Sequence, residues 1–168
     1  MTKPGKQAVQ LDSFDIKLLT ALQENNQRTS EELGGLVNLS PAACLRRIRR
    51  LRETGVISAD VSVVAPEVLG RRMTMIVVVA LERDQHDLTD AFMVSMRATP
   101  QVTQCYYVTG QADFVLVISV RDMDDYDIFT RSFFAANRNV KRFDTMVVMQ
   151  RAKFEMGVKA SMALASAD

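Results

Sequence analysis

Arginine is concentrated in one short stretch of the chain, residues 46 to 52. Five of these seven residues are arginines: Arg46, Arg47, Arg49, Arg50 and Arg52. A guanidinium can make two parallel hydrogen bonds to a phosphate or to a guanine edge. Like charges three and four residues apart on a helix repel one another. The stretch is either a solvated helical face or a surface for an anionic partner, and the tolerated repulsion favours the partner.

A helix beginning at residue 40 would carry these arginines. Ser40 is a good N-cap, and Pro41 suits the first helical position, where a missing N–H costs nothing. The apolar positions follow at the spacing of one helical face, at Cys44, Ile48 and Leu51. Gly55 is a typical residue for ending a helix. The pattern therefore predicts an amphipathic helix with a strongly cationic exposed side.

A second helical pattern precedes it, across a tight break at Asn38 and Leu39. Thr29 and Glu32 have the spacing of a capping box. The apolar positions of this pattern are Leu33, Leu36 and Val37. An earlier helix, expected to begin at Asp12 with a core stripe at Ile16, Leu19 and Leu22, would buttress the pair. A helix, a tight turn and an arginine-rich helix together predict a helix-turn-helix, whose second helix enters the major groove of DNA.

The start of this recognition helix is expected to face base edges, through Ser40, Pro41, Ala42, Leu45 and Arg46. Arg46 could bridge guanine O6 and N7, and Ala42 could touch a thymine methyl. Arg49 and Arg50 are expected to hold phosphates, which gives affinity without sequence information. Arg47 has two open interpretations, a phosphate contact or an ion pair with an acid on the first helix.

From residue 73 the pattern changes to strands and helices in alternation. Strand signals cover 73–81, 102–109, 113–120 and about 140–149, with helices at 86–98 and after Asp122. This order predicts an α+β chain, with a winged-helix-like N-terminal domain joined by a strand linker to a ferredoxin-like βαββαβ domain. The expected divisions are a flexible N-terminus at 1–10, a helix-turn-helix domain at 11–57, a strand and linker at 58–72, the ferredoxin-like domain at 73–153 and a tail at 154–168.

Both faces of the predicted sheet are apolar. Residues 73, 75, 77 and 79 point one way and residues 76, 78 and 80 the other, and all but Thr74 in this strand are apolar. Helices would cover one face, and the other is too apolar to leave in water. We therefore expect it to pack on a second copy, which would also present two recognition helices to one face of DNA.

Composition argues against several other classes of protein. The 168 residues carry 21 basic and 20 acidic side chains, two cysteines and one histidine. This offers little for a disulfide framework, a metal site, a cofactor or a catalytic triad, so no enzyme is predicted. No apolar run approaches a membrane span, and the N-terminus lacks a signal-peptide core. A cytoplasmic, nucleoid-associated protein without membrane contact is expected.

The sequence resembles the Lrp/AsnC (leucine-responsive and asparagine regulator) family of feast/famine transcription factors over residues 11 to about 153. In the N-terminal half the resemblance lies in Leu11, Asp12, Asp15, Arg28, Leu33, Leu39, Ser40, Arg46, Arg47, Leu51 and residues 55–57. In the C-terminal half it lies in Val102, Cys105, Tyr106, Thr109, Gly110, Asp113, residues 145–148 and Lys153. Gly34 and Gly35 depart from the family's helix-favouring residues, so the first helix of the motif is expected to be soft.

The resemblance implies double-stranded DNA as a partner and dimers that assemble further into tetramers or octamers. It also implies a small-molecule effector, commonly an amino acid, bound between dimers. The candidate effector turn is Thr109, Gly110, Gln111, Ala112 and Asp113. Its backbone N–H groups could hold a carboxylate, and Asp113 could pair with an α-ammonium or be an ordinary turn acid. The resemblance also implies that Met123, Met146 and Val147 affect the response to the effector.

These patterns predict a sequence-specific DNA-binding transcriptional regulator whose assembly or DNA affinity responds to a small molecule. The alternative is a nucleoid-type architectural protein that binds DNA with little specificity. A sensor or enzyme with N-terminal helices that dock a protein is a third class, but no paired acid and nucleophile supports catalysis.

Overall fold

The chain divides into two units in the computed structural model, which describes residues 9–83 and 85–163. The first unit combines the described residues up to Ser62 with the segment that starts at Phe154. The second unit runs from Val63 to Lys153. The boundary at Ser62 falls inside the predicted linker. The C-terminal segment, which the sequence suggested to be a separate tail, belongs to the first unit.

The described part of the first unit contains three α-helices, α1 (Ser13–Glu24), α2 (Ser30–Val37) and α3 (Pro41–Glu53). They enclose one small core, formed by Leu18, Ala21, Leu33, Val37, Cys44 and Ile48. No strand forms between residues 9 and 62, so among the described residues the predicted winged-helix-like domain is a plain helix-turn-helix without a wing.

Each helix begins at the residue that the sequence predicts. Asp12 and Asp15 form a reciprocal capping box at α1, in which the Asp15 N–H donates to Asp12 Oδ1 at 2.8 Å. Thr29 and Glu32 do the same at α2, and the Ser40 hydroxyl oxygen accepts a hydrogen bond from the Ala43 N–H of α3. These caps satisfy N–H groups that have no partner within the helices.

Two apolar stripes differ from the prediction. Leu36 is 56% exposed, whereas Leu33 and Val37 are both 2% exposed. At about 100° per residue, Leu36 lies about 80° away from the direction that its two neighbours share. On α1 the fully buried side chain is Leu18, while Leu19 and Leu22, predicted to lead the stripe, are only half-buried.

The segment after Lys153 contacts α1 through the side-chain amide of Gln23. Gln23 Nε2 donates to the carbonyl oxygen of Val158 at 2.8 Å, and the Ala160 N–H donates to Gln23 Oε1 at 2.8 Å. A 3₁₀ turn at Ala160–Ala163 follows. One amide therefore satisfies both a donor and an acceptor of the returning backbone.

The strand predicted within the linker at 58–72, whose apolar residues lie at 61–64, does not form. Val61, Val63 and Val64 are between 51% and 62% exposed, and the segment has no strand partner among the described residues. An extended segment needs a neighbouring backbone for its N–H and C=O groups, and without one it remains irregular. A 3₁₀ turn at Pro66–Leu69 follows, so the predicted strand linker is corrected to an irregular one.

The second unit contains, in chain order, β1 (Met73–Leu81), α4 (His86–Ala98), β2 (Val102–Tyr107), β3 (Phe114–Val120), α5 (Met123–Thr130) and β4 (Val140–Val147). A π-helical turn at Arg131–Ala135 extends α5. The strands pair antiparallel in the order β2-β3-β1-β4. This is the predicted ferredoxin-like arrangement, which is confirmed.

Burial alternates along the central strands. Every second residue of β1 from Met75 to Leu81 is buried, and β3 shows the same pattern from Phe114 to Val120. Aromatic and methionine side chains of the helices cover this face, among them Phe92, Met96, Phe129 and Phe134. The opposite face, with Ile76 and Val78 at its centre, is only half-buried within one chain.

A buried carboxylate fixes the start of α5. Asp122 caps the helix, and Asp125 pairs with Arg71 at 3.0 Å and with Arg121 at 3.3 Å. The backbone N–H and the guanidinium of Arg121 hold the pKa of Asp125 below its ordinary value. The end of the irregular linker is thereby attached to the second unit.

Two adjacent glycines of α2 have opposite surroundings. A Cβ built on Gly34 would lie 2.6 Å from the Leu39 carbonyl oxygen, and one built on Gly35 meets nothing within 4 Å. Asn38, with φ of 58°, turns the backbone back over Gly34. Gly34 is therefore required by the tight turn, and only Gly35 is a helix-weakening residue.

We expect Gly35→Ala to raise the free energy of unfolding by up to about 1 kcal/mol, because alanine restricts the unfolded chain and favours helix. Gly34→Ala should lower it by about 1–3 kcal/mol, as overpacking does in cores. Urea denaturation followed by circular dichroism measures both variants. A neutral or stabilising Gly34→Ala would contradict the close approach of the turn.

Candidate functional site

The side of α3 that is turned away from the core carries the predicted DNA-contacting residues. Cys44, Ile48 and Leu51 are at most 4% exposed and define the buried side. Since successive residues are about 100° apart, Ala42, Arg46 and Arg49 fall on the opposite side, and all three are exposed. Exposed Pro41 and Leu45 flank this surface. Ser40 lies at its N-terminal end, with its oxygen engaged in the helix cap.

Asp15 binds two arginines of α3. Its Oδ1 lies 2.9 Å from Arg47 Nη1, and its Oδ2 accepts a hydrogen bond from Arg50 Nη2. Arg47 Nη1 also lies 2.8 Å from Asp12 Oδ2, and the two carboxylates raise the Arg47 pKa. The Asp15 N–H and the Arg47 guanidinium lower the pKa of Asp12. Of the two interpretations of Arg47, the structure has the ion pair with an acid on the first helix.

The remaining three arginines of α3 differ in their surroundings. Arg52 Nε pairs with Asp60 Oδ2 at 2.9 Å, in a surface contact in which both side chains are nearly half exposed. Arg46 and Arg49 are exposed and have no acidic partner among the described residues. The exposed side of α3 thus presents two guanidinium groups that are free for an external acceptor.

The pairing of Arg50 with Asp15 was not expected from the sequence. The sequence places Asp15 in the first turn of α1, where an acid is favourable at the positive end of the helix. A signal was nevertheless present, since the interpretation of Arg47 as the partner of an α1 acid requires α3 to pack there. Arg50, three residues further on, lies on the same side of α3.

The turn between β2 and β3 is anchored by Asp113. Its N–H donates to the Val79 carbonyl at 2.9 Å, its carbonyl accepts from the Val108 N–H at 2.9 Å, and its Oδ2 accepts from the Leu81 N–H at 2.7 Å. Gly110, with φ of 124°, supplies the backbone conformation that other residues rarely adopt. Asp113 therefore anchors the turn, and its Oδ1 accepts no hydrogen bond from the described residues.

The predicted effector residues form two separate groups. The turn from Thr109 through Gly110, Gln111 and Ala112 to Asp113 lies beside the end of β1, near Leu81. The other group lies near the start of β1, where Val147 pairs with Met75 and Met146 with Ile76, and where Met123 follows the end of β3. Six residues of strand separate the groups by about 20 Å. One chain does not bring them together around one small ligand.

The described residues offer few side chains for redox or metal chemistry. They contain no cluster of three or more His, Cys, Asp or Glu side chains that could hold a metal ion. Burial raises the pKa of the Cys44 and Cys105 thiols, which disfavours their nucleophilic form. Within residues 9–83 and 85–163, none of the helices has the length and apolar character needed to cross a membrane.

Comparison with known families gives the class of protein. The AsnC-type helix-turn-helix domain matches residues 11–52, and the Lrp/AsnC ligand binding domain matches residues 74–158. The chain is thus a helix-turn-helix transcriptional regulator with a ligand-binding domain. It belongs to the Lrp/AsnC family.

Individual relatives and structures agree. An HTH-type transcriptional regulator of Sinorhizobium fredii is 53% identical, covering 90% of this chain and 89% of the relative. The leucine-responsive regulatory protein of Haemophilus influenzae is 33% identical, covering 85% and 86%. The crystal structure of a Neisseria meningitidis transcriptional regulator in complex with L-Met has a TM-score of 0.85 at 28% identity, covering 92% of this chain and 99% of that one.

Proposed function

We propose that the exposed side of α3 reads the DNA major groove and that an amino acid bound to the second unit controls assembly or DNA affinity. One observation carries the DNA part of the proposal. Arg46 and Arg49 lie opposite the buried stripe, are exposed, and have no acidic partner among the described residues. The same side of α3 includes Ala42 in the first turn of the helix. It therefore offers both a small apolar side chain and guanidinium groups, which are the groups that contact base edges in the major groove.

The proposed roles follow position along α3. Ser40, Pro41 and Ala42 approach the bases first, and Leu45, which is 57% exposed, adds an apolar contact. Arg46, one turn into the helix, is proposed to pair with a guanine edge. Arg49, a further turn away, is proposed to hold a phosphate.

We expect Arg46→Ala to weaken binding to the preferred operator by about 1–3 kcal/mol and to leave random-sequence binding nearly unchanged, because a bidentate base contact is lost. The matched variant Arg49→Ala should weaken both alike. Titration of a selected operator and of a scrambled duplex at one salt concentration measures the losses. Equal losses for Arg46→Ala would remove its base-reading role, and a wild-type preference near unity would indicate an architectural protein instead.

The effector is proposed to be an amino acid at the turn 109–113. A neighbouring structure of the same fold contains L-Met, which supports a ligand of this chemical class. Backbone N–H groups around Gly110 suit a carboxylate, and the uncommitted Oδ1 of Asp113 suits an α-ammonium. Met123, Met146 and Val147, at the other end of β1, are proposed to affect the response from a separate surface.

Calorimetric titration with the twenty amino acids, repeated with Asp113→Asn, examines this assignment. Asparagine keeps an oxygen for the Leu81 N–H and removes the charge, so we expect binding at least tenfold weaker with thermal stability close to wild type. Asp113→Ala serves as the structural control, since it leaves a buried N–H without an acceptor and should cost about 1–3 kcal/mol of stability. Undiminished binding by a folded Asp113→Asn protein would exclude the ammonium contact.

The uncovered face of the sheet is proposed to join two copies of the chain. Ile76 pairs with Val117 and Met146, and Val78 pairs with Val115, so this face carries a continuous apolar patch at its centre. A patch of this kind is rarely left in water. The family resemblance further predicts tetramers or octamers built from such dimers.

Sedimentation velocity should find the wild type larger than a monomer at micromolar concentration, and Val78→Asp should shift it toward the monomer by placing a charge in the apolar interface. Val94→Asp introduces the same change at a 63% exposed position on α4, outside this face, and should retain the dimer. A monomeric wild type, or a dimeric Val78→Asp, would contradict the proposed interface.

A further inference from the structure

We propose that Asp15 is a positioning residue for DNA recognition, which holds Arg47 and Arg50 away from DNA and leaves DNA contact to Arg46 and Arg49. The inference rests on the proposed DNA-binding function of α3. It concerns a residue of the buttressing helix α1, outside the recognition helix itself.

Both carboxylate oxygens of Asp15 accept hydrogen bonds from within the chain. Its side chain is 1% exposed. Oδ1 accepts from Arg47, and Oδ2 accepts from both Arg50 and the N–H of Asp12, the latter at 3.2 Å. A buried charge that loses its partners is strongly unfavourable, because neither water nor another cation replaces them. If an arginine left Asp15 to bind a DNA phosphate, the free energy lost at the buried carboxylate would therefore exceed the free energy gained at the solvent-exposed phosphate.

Arg47 is held by more than charge. It is half-buried, it bridges Asp12 and Asp15, and its guanidinium lies 5.6 Å from the centre of the Phe14 ring. Arg50 is 44% exposed, so its side chain is visible at the surface although its guanidinium is engaged by Asp15. From its exposure alone, Arg50 would be expected to contact DNA. Its ion pair with Asp15 makes its guanidinium unavailable for that contact.

The consequence is a limit on sequence-independent affinity. Each cation seated on a phosphate releases counterions and binds any DNA sequence. The cluster of Asp12, Asp15, Arg47 and Arg50 has no net charge, so it adds little to this term. Base contacts then make up a larger share of the total affinity. Asp15 thereby raises the preference for operator over random DNA without touching either.

The proposal is tested with the full-length protein by measuring its observed association constant, Kobs, for random duplex DNA at several salt concentrations. The quantity compared is the slope of log Kobs against the logarithm of the salt concentration. Asp15→Asn should steepen the slope by about 0.9 for each arginine that it frees onto a phosphate, and should reduce the ratio of operator to random affinity. Asp15→Asn combined with Arg50→Ala keeps the net charge of the wild type and should give a slope about 0.9 flatter than that of Asp15→Asn alone. Arg49→Ala should flatten it by about 0.9.

An unchanged or flatter slope for Asp15→Asn overturns the proposal, as does a double variant flatter than wild type. If circular dichroism shows that Asp15→Asn does not fold, Arg49→Ala and Arg50→Ala decide: a larger flattening for Arg49→Ala is expected, and equal flattening overturns the proposal. A wild type that binds no DNA refutes the proposed function itself, which separates that failure from a failure of the role of Asp15.

Discussion

A single buried carboxylate fixes how the recognition helix is held. Asp15 completes the capping box of α1, and its side chain binds two guanidinium groups on α3. Apolar packing between helices is non-directional and would allow small rotations of α3 about its own axis. Charge-assisted hydrogen bonds to both carboxylate oxygens have preferred directions, and they select one rotation. The set of side chains that α3 exposes therefore depends on one residue of another helix.

The second unit depends on a comparable constraint at its central strand. β1 pairs with β3 on one side and β4 on the other, so its backbone hydrogen bonds are used in both directions. Asp113 extends this ladder beyond β3 by giving an acceptor to Leu81, and Asp125 attaches the linker at Arg71. The edges and the uncovered face of the sheet are the surfaces where another molecule can bind. The proposed partners at these surfaces are a ligand and a second copy of the chain.

Local sequence signals predicted most of the fold. The caps at Asp12, Thr29, Ser40 and Asp122 are short-range, since each side chain reaches an N–H three residues away, and all four are present. The strand order followed from the alternation of elements. The errors concern distant partners. The strand at 61–64 has suitable residues but no neighbouring strand, and Gly34 was judged by helix propensity when its surroundings in the turn decide.

The candidate sites were predictable in part for the same reason. The exposed residues of α3 follow from helical spacing, because the buried stripe determines the opposite side. The hydrogen bond from Arg50 to Asp15 spans 35 residues, so it depends on how α3 packs against α1 and not on a local pattern alone. The separation of Met146 from the turn at 109–113 likewise follows from the register of β4 on β1.

The hydrogen bonds of Gln23 to Val158 and Ala160 make the first unit discontinuous in sequence. The second unit, Val63–Lys153, therefore lies in sequence between the two parts of the first unit. A single proteolytic cut near residue 62 would therefore break one of two covalent connections and leave the helices joined to the other fragment by non-covalent contacts. A recombinant fragment that ended at that boundary would expose the amide of Gln23 and the surface of α1 that the returning segment contacts.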